Sequence, residues 1–189
     1  NDDIVPIGYR TVPGVQYGMG LSTSWKNFEF NILFQGSGKC DFFIGGNGPH
    51  AFRNGQTGNI LQTMVDDNRW IPSEISGDVS TENPNANWPR LTWGNNDNNN
   101  QKSTFWLRDG RYIRLKNIEL RYNVPTTFTR KFFVSNMQIG FIGENLHTWS
   151  PFKLWDPENA TTDEKNSGVR SGNAYPINRT YSCYIKLSF

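Results

Sequence analysis

The chain has only two cysteines, Cys40 and Cys183, in 189 residues. They make no CxxC or other ligand spacing, so neither a zinc site nor a redox motif can be built on them. Both are read as free thiols. Histidine is as scarce: His50 and His147 are isolated in sequence, with no nucleophile to serve. Nowhere do 18 apolar residues run together, which excludes a membrane-crossing helix, and no charged-then-apolar leader opens the chain. An excess of one charge is also missing. The net charge is +2, and no basic cluster could track a phosphate backbone, so nucleic acid is not an expected partner.

Aromatic residues are plentiful: 13 Phe, 7 Trp and 7 Tyr, or 14% of the chain. A disordered chain would lack them. Yet only 35% is hydrophobic, and mean hydropathy is -0.65. A soluble β-protein fits that balance, and so does a membrane barrel, whose inward-facing half dilutes hydropathy. The length suffices for one ordinary domain with a sizeable core.

Period-two alternation is the strongest signal. From Tyr112 to Val124 apolar and polar residues alternate with no Gly or Pro, and Pro125 ends the run. Asp109-Gly110 marks a kink before it. The alternation changes phase once, from Ile113 and Leu115 to Ile118, Leu120 and Tyr122. A bulge near Lys116-Asn117 would restore a single apolar face. Asn117, Glu119, Arg121 and Asn123 then share the other face, too polar for a sandwich core. Val15 to Trp25 and Phe28 to Gln35, joined by Lys26-Asn27, read as a hairpin. Phe132 to Leu146 reads as another strand, with Phe133, Ser135, Met137, Ile139, Phe141 and Gly143 outward. Ile177 to Phe189 reads as the last.

Between them, connections alternate short and long: Lys26-Asn27, then 36–104, then 126–131, then 147–176. The loop 36–104 is rich in Gly, Asn and Pro, and spacing within Asn59 to Asn68 predicts one short helix. A structureless loop of that length counts against a compact soluble domain. Short turns on one side and long loops on the other is the pattern of outer-membrane barrels. The reading is therefore all-β: about five antiparallel strands of a large transmembrane barrel over 1–189, with long outer loops 36–104 and 147–176. The chain would enter from outside and finish in the periplasm, as the tail of a longer precursor.

The stretch Phe105 to Pro125 (FWLRDGRYIRLKNIELRYNVP) resembles the late-barrel signature of the SusC/RagA family of TonB-linked outer-membrane transporters. Arg111 stands where that family usually has Ser, and Arg121 where it usually has Gly. Trp70-Ile71-Pro72 and Asn87 to Leu91 resemble outer-loop segments of the family. Asn145 to Ser150, leading into Lys153 to Glu158, carries a second strong resemblance. The terminal strand, with Tyr181, Cys183, Ile185, Leu187 and Phe189 on one parity, resembles the signal by which the barrel-assembly machinery recognises its substrates. The resemblance implies a barrel of about 22 strands with a plugged lumen, seated in outer-membrane lipid. It also implies energisation through TonB and uptake of glycan or peptide oligomers beneath a SusD-like surface lipoprotein. The alternative from another class is a soluble secreted β-sandwich that binds carbohydrate through loop aromatics.

No catalytic site, metal site or cofactor emerges. Asn95 to Asn100 lacks the Gly and terminal Glu of a calcium loop. Neither Asp66-Asp67 nor Asp156/Glu158 has the partners of a glycosidase acid pair. Gly45-Gly46-Asn47-Gly48 opens no helix after a strand, so it is not a phosphate cradle. Asn159-Ala160-Thr161 and Asn178-Arg179-Thr180 match glycosylation triplets, but a bacterial reading leaves them bare. Of the tryptophans, Trp25, Trp106 and Trp149 suit an interfacial belt. Trp70, Trp88, Trp93 and Trp155 fall in the long loops, where they would pack the loops or bind a ligand or partner.

Overall fold

The computed structural model describes residues 4–53, 58–66, 69–94 and 96–189. In chain order the strands are β1 (Val15–Trp25), β2 (Phe28–Gly38), β3 (Asp41–Ile44), β4 (Leu107–Asp109), β5 (Tyr112–Val124), β6 (Asn136–Trp149), β7 (Val169–Arg170) and β8 (Thr180–Ser188). They form a five-stranded sheet in the order β1-β2-β5-β6-β8 and a three-stranded sheet in the order β4-β3-β7. The chain divides into two compact units. One, the wall, holds 9–41, 109–159 and 175–189; the other, the loop unit, holds 1–8, 42–108 and 160–174.

In the wall every neighbouring pair is antiparallel. Strands of 9 to 14 residues are about the length a tilted strand needs to cross a bilayer. The register aligns apolar side chains into rows across the sheet. Trp25, Phe28, Tyr122, Ile139 and Ile185 share one row. The rows of Phe30, Leu120, Phe141 and Cys183 and of Leu21, Ile32, Ile118, Gly143 and Tyr181 follow. Tyr17, Gly36, Ile113 and Trp149 close the far end. The phase change is resolved as anticipated: register slips between Leu33 and Phe34 on β2, and between Leu115 and Asn117 on β5, leaving Lys116 as the extra residue. The bulge keeps one face of the thirteen-residue β5 apolar.

This apolar face packs against no core: Met19 is 69% exposed, Leu21 60% and Ile185 64%. A sandwich would bury those side chains between sheets, so the β-sandwich alternative fails here. Two glycines let tyrosine rings lie flat across neighbouring strands. A Cβ on Gly36 would stand 2.5 Å from the ring of Tyr17, whose hydroxyl donates to the Tyr112 carbonyl at 3.1 Å. On the opposite face the ring of Tyr184 covers Gly140. Such aromatic cover over a strand glycine helps fix register.

The short connections leave one end of the sheet. Lys26 takes a left-handed φ of 52° to turn β1 into β2, with its ammonium 4.7 Å over the Trp25 ring. Between β5 and β6 lie the helical turn Thr126–Thr129 and a 3-10 turn Arg130–Phe132. Here the expected strand from Phe132 is corrected. Phe133 adopts φ 58° and is 91% exposed, so β6 begins only at Asn136. The reason is local: Val134 N–H bonds back to the Thr129 carbonyl, closing a turn in place of ladder pairing. Both long connections, 39–111 and 150–179, leave from the other end. The last strand is shorter than expected, Thr180–Ser188, with Phe189 beyond it and 89% exposed. Cys40 is buried and Cys183 exposed, and neither is in a disulfide.

The loop unit is built differently. Phe43 and Ile44 of β3 run parallel to Val169 and Arg170 of β7, and Ile44 N–H donates to the Trp106 carbonyl at 2.9 Å. Phe42, Ile44, Met64 and Trp106, each at most 3% exposed, form its core. The expected helix near 59–68 contracts to Thr63–Asp66, and Asp67 and Asn68 lie outside the described residues. A second helical turn spans Ser73–Ser76 and is closed by Gly77 at φ 75°.

Candidate functional site

The polar face of the wall carries a connected network. Arg121 pairs with Glu29 at 3.1 Å and with Glu119 at 3.2 Å. Asn31 donates to Glu119 at 3.1 Å, Asn123 to Glu29 at 2.8 Å, and Gln138 to Asn123 at 2.8 Å. The Tyr184 hydroxyl reaches both Glu119 and Gln138 at 3.4 Å. Each member comes from the parity opposite the apolar rows, so one sheet presents oil on one side and ionised groups on the other. Arg121, one of the two departures from the family pattern, bridges Glu29 and Glu119.

At the end where the long connections leave, Arg114 is 1% exposed. Its guanidinium donates to both Asp156 oxygens at 2.6 and 2.8 Å and lies 3.3 Å from Glu158. It also stacks 5.5 Å from the Tyr112 ring. Asp156 accepts from Glu158 N–H at 2.9 Å, so the carboxylate that caps its own turn also ties the segment to β5. Asp156 and Glu158 are thus committed to a cation rather than poised as acid and base.

Within the loop unit, side chains far apart in sequence converge. His50 is 4% exposed, and its ring meets Trp106 edge-on at 4.8 Å. Arg53 approaches His50 Nδ1 at 3.0 Å. A guanidinium can only donate, so Nδ1 accepts and the ring proton sits on Nε2. Burial, helped by the adjacent Arg53 charge, lowers the His50 pKa to about 4, which keeps the ring neutral at pH 7. Its Nε2 is buried with no hydrogen-bond partner among the described residues. Gly45 is required beneath it, since a Cβ there would stand 3.2 Å from Nε2 and 2.8 Å from Val169. Trp106 donates its indole N–H to the Asn99 carbonyl at 2.6 Å and is 3% exposed. It is a core residue of the loop unit and not a belt tryptophan, a correction of the sequence reading.

Nearby, Glu164 closes a capping box. Thr161 N–H donates to it at 2.7 Å, and it receives Ser171 N–H at 2.7 Å and the Ser171 hydroxyl at 2.6 Å. Burial pushes its pKa up, but those donors together outweigh burial and hold it below the usual carboxylate value.

The four loop tryptophans separate. Trp88 lies 6.4 Å from Trp106 and 6.3 Å from Phe105, inside the loop packing. Trp70 donates its backbone N–H to the Trp88 carbonyl at 2.9 Å and is half-buried. Trp93, touching Phe52 at 5.0 Å, is 67% exposed. Trp155 belongs to the wall unit and packs edge-on against Phe152 at 4.9 Å. The two belt candidates on the wall are exposed at its opposite ends, Trp25 at 67% and Trp149 at 49%. No group of metal-ligating side chains occurs among the described residues. Asn95, the first residue of the asparagine run, lies outside them.

Comparison with protein-family models gives no match. Among curated proteins the chain is similar to TonB-dependent receptor P26 of Formosa agariphila, at 28% identity over 192 residues. It is also similar to TonB-dependent receptor P3 of the same organism, at 27% over 186 residues. The alignments take 100% and 94% of this chain but span only 18% and 16% of those relatives. Among solved structures it superposes on the RagAB peptide transporter with a TM-score of 0.70 at 22% identity. That match covers 97% of this chain and 18% of that one. The RagAB peptide importer in its open-open state gives a TM-score of 0.68 at 22% identity, over 96% of this chain and 18% of that one. The chain thus has the fold of a portion of a SusC/RagA-like barrel, wall strands and long loops together.

Proposed function

We propose that this portion of a SusC/RagA-like barrel serves an outer-membrane, TonB-dependent importer of glycan or peptide oligomers, and not an enzyme. The observation that carries the reading is the two-faced sheet. Apolar rows stand exposed on one side, and the Glu29–Arg121–Glu119 network stands on the other. Lipid against the first face and a wet lumen against the second satisfy both at once. The similarity to named TonB-dependent receptors supports the TonB requirement. Long loops at one end give a SusD-like surface lipoprotein a place to seat, and Trp93, with its exposed indole, is the favoured anchor among Trp70, Trp88, Trp93 and Trp155.

The test is made on the full-length protein in its native host. Membrane fractionation should recover it from the outer membrane, and growth on oligomeric nutrient should need both it and TonB. Recovery from the soluble fraction, or uptake indifferent to TonB, would overturn the reading. The terminal strand is proposed to guide assembly, because Tyr181, Cys183, Ile185, Leu187 and Phe189 hold one parity to the chain end. Deleting Phe189 should lower the outer-membrane level of the protein. An undiminished level would remove that role.

A further inference from the structure

At the end of the wall where the long connections leave, an open groove of about 430 Å³ cuts into the apolar face. Tyr17, Ile113 and Trp149, which share one register row, form its sides and are all exposed. Gly38 lies in the lining, and a Cβ there would meet no atom within 4 Å. The groove thus continues the exposed apolar rows toward the loop end. Two cations stand at its rim, and the backbone fixes their places. Beyond the Ile113–Trp149 pair, the Ser150 hydroxyl donates to the Arg111 carbonyl at 2.7 Å. That bond sets Arg111 beside Ser150, three residues before Lys153, and all three line the groove. Arg111 Nε pairs with Asp109 at 2.9 Å, both side chains well exposed, and such a pair is weak. The terminal amino groups of Arg111 are left to donate elsewhere. Lys153 is exposed and pairs with no carboxylate among the described residues. None of the described residues lining the groove is an acid.

Apolar sides that end at two cations fit a molecule with an acyl chain and an anionic head. We infer that this groove holds an outer-leaflet lipid with a phosphate headgroup. Its chain lies over Gly38 between Tyr17 and Trp149, and its phosphate meets Arg111 and Lys153. Cations at headgroup level attract anionic lipid, and a guanidinium binds phosphate through parallel hydrogen bonds. The volume is within the range of small-molecule sites. The inference rests on the lipid-facing assignment of the apolar rows. It goes beyond that assignment by giving one place on the wall a preference among lipids.

The full-length protein is reconstituted in phosphatidylcholine vesicles, and brominated acyl chains report contact by quenching an indole they touch. The signal of Trp149 is the parent fluorescence less that of Trp149→Phe. Brominated phosphatidic acid should quench it at about a tenfold lower mole fraction than brominated phosphatidylcholine, the scale set by two cations near an anionic headgroup. In R111Q/K153Q that ratio should fall toward one, with the mobility of the unheated protein on a denaturing gel unchanged. Gly38→Leu enters open space, so it should keep the fold, fill the groove and weaken quenching by the acid. Soluble glycerol 3-phosphate should not compete. Equal quenching by the two lipids in the parent, or a ratio that survives R111Q/K153Q, overturns the inference. So does full quenching by the acid in Gly38→Leu, or displacement by glycerol 3-phosphate. In each of those outcomes Trp149 still meets lipid, and the barrel reading stands. Were neither lipid to quench Trp149, both would fall.

Discussion

Trp25 and Trp149 of the wall contrast with Trp106 of the loop unit, and the contrast shows how each unit is held together. In the wall, Trp25 and Trp149 are 67% and 49% exposed at opposite ends of the apolar face. In the loop unit Trp106 is 3% exposed and sits among Trp88, Phe105 and His50. The wall's order comes from an antiparallel backbone ladder, so its side chains are free to face outward on both sides. The loop unit has only the short β4-β3-β7 sheet, with two residue pairs between β3 and β7, and must close around aromatic rings and buried polar groups. Side-chain substitutions should therefore act locally and by depth in the wall, and through packing in the loop unit.

The exception inside the wall is Arg114, and it gives the largest expected effect. Its side chain is 2% exposed and that of Asp156 17%. Arg114→Leu would leave Asp156 and Glu158 without their cation, a loss of the order of 3–5 kcal/mol for a broken buried pair. Limited proteolysis should open the segment 150–159. A variant as resistant as the parent would show that Phe152 packing alone secures it.

Depth should decide the next effect. Ile32 lies in the row midway between those of Trp25 and Trp149. Ile32→Lys should cost about 2–4 kcal/mol, the penalty for a cation at the midplane of a lipid-facing strand. Gln138→Lys, on the polar face, should cost far less. Urea unfolding of the full-length protein in lipid vesicles compares them. Equal costs would erase the distinction between the two faces.

That distinction was legible because strand side chains repeat every two residues. The slip from Leu115 to Ile118 even located the bulge. Phe132 to Ser135 misled because their alternation continues β6 smoothly, while the backbone turns at Phe133. The loop unit was nearly illegible. His50, Arg53, Lys102 and Trp106 come together through a 3.0 Å side-chain contact and a parallel strand pair, and neither leaves a period in the sequence. The burial of Arg114 was equally hidden. Its parity places it among solvated wall residues, and only Asp156, 42 positions later, takes it out of water.

Within the loop unit, exposure separates two tryptophans. Trp93→Ala should leave the fold intact and weaken association with a surface lipoprotein by about 2 kcal/mol, if the exposed indole is an anchor. Trp88→Ala should instead loosen the packing around Trp106, seen as faster proteolysis of 69–106. Co-purification of the lipoprotein, measured beside proteolysis, tells the roles apart. Normal behaviour of both variants would leave the two residues without either role.

Acidification should give the smallest effect and confine it to the loop unit. The folded pKa of His50 is lowered to about 4, against about 6.5 in an unfolded chain. The unfolded state therefore takes up a proton first as pH falls. Stability from the neutral ring is complete above about pH 6.5 and is lost progressively toward pH 4. Glu164 acts lower on the scale. Its folded pKa is depressed, so its contribution is present above its unfolded value and disappears as pH falls through the folded one. Hydrogen exchange at 42–53 and 160–174 should thus quicken in two stages between neutral and acid pH. The hairpin Val15–Gly38, held by its ladder of backbone bonds, supplies the internal reference. His50→Phe should erase the first stage and keep the second, because a phenyl ring fills the same place without titrating. A first stage that persists in that variant would move its origin away from His50, and with it the argument that burial, rather than sequence neighbours, sets the chemistry of this unit.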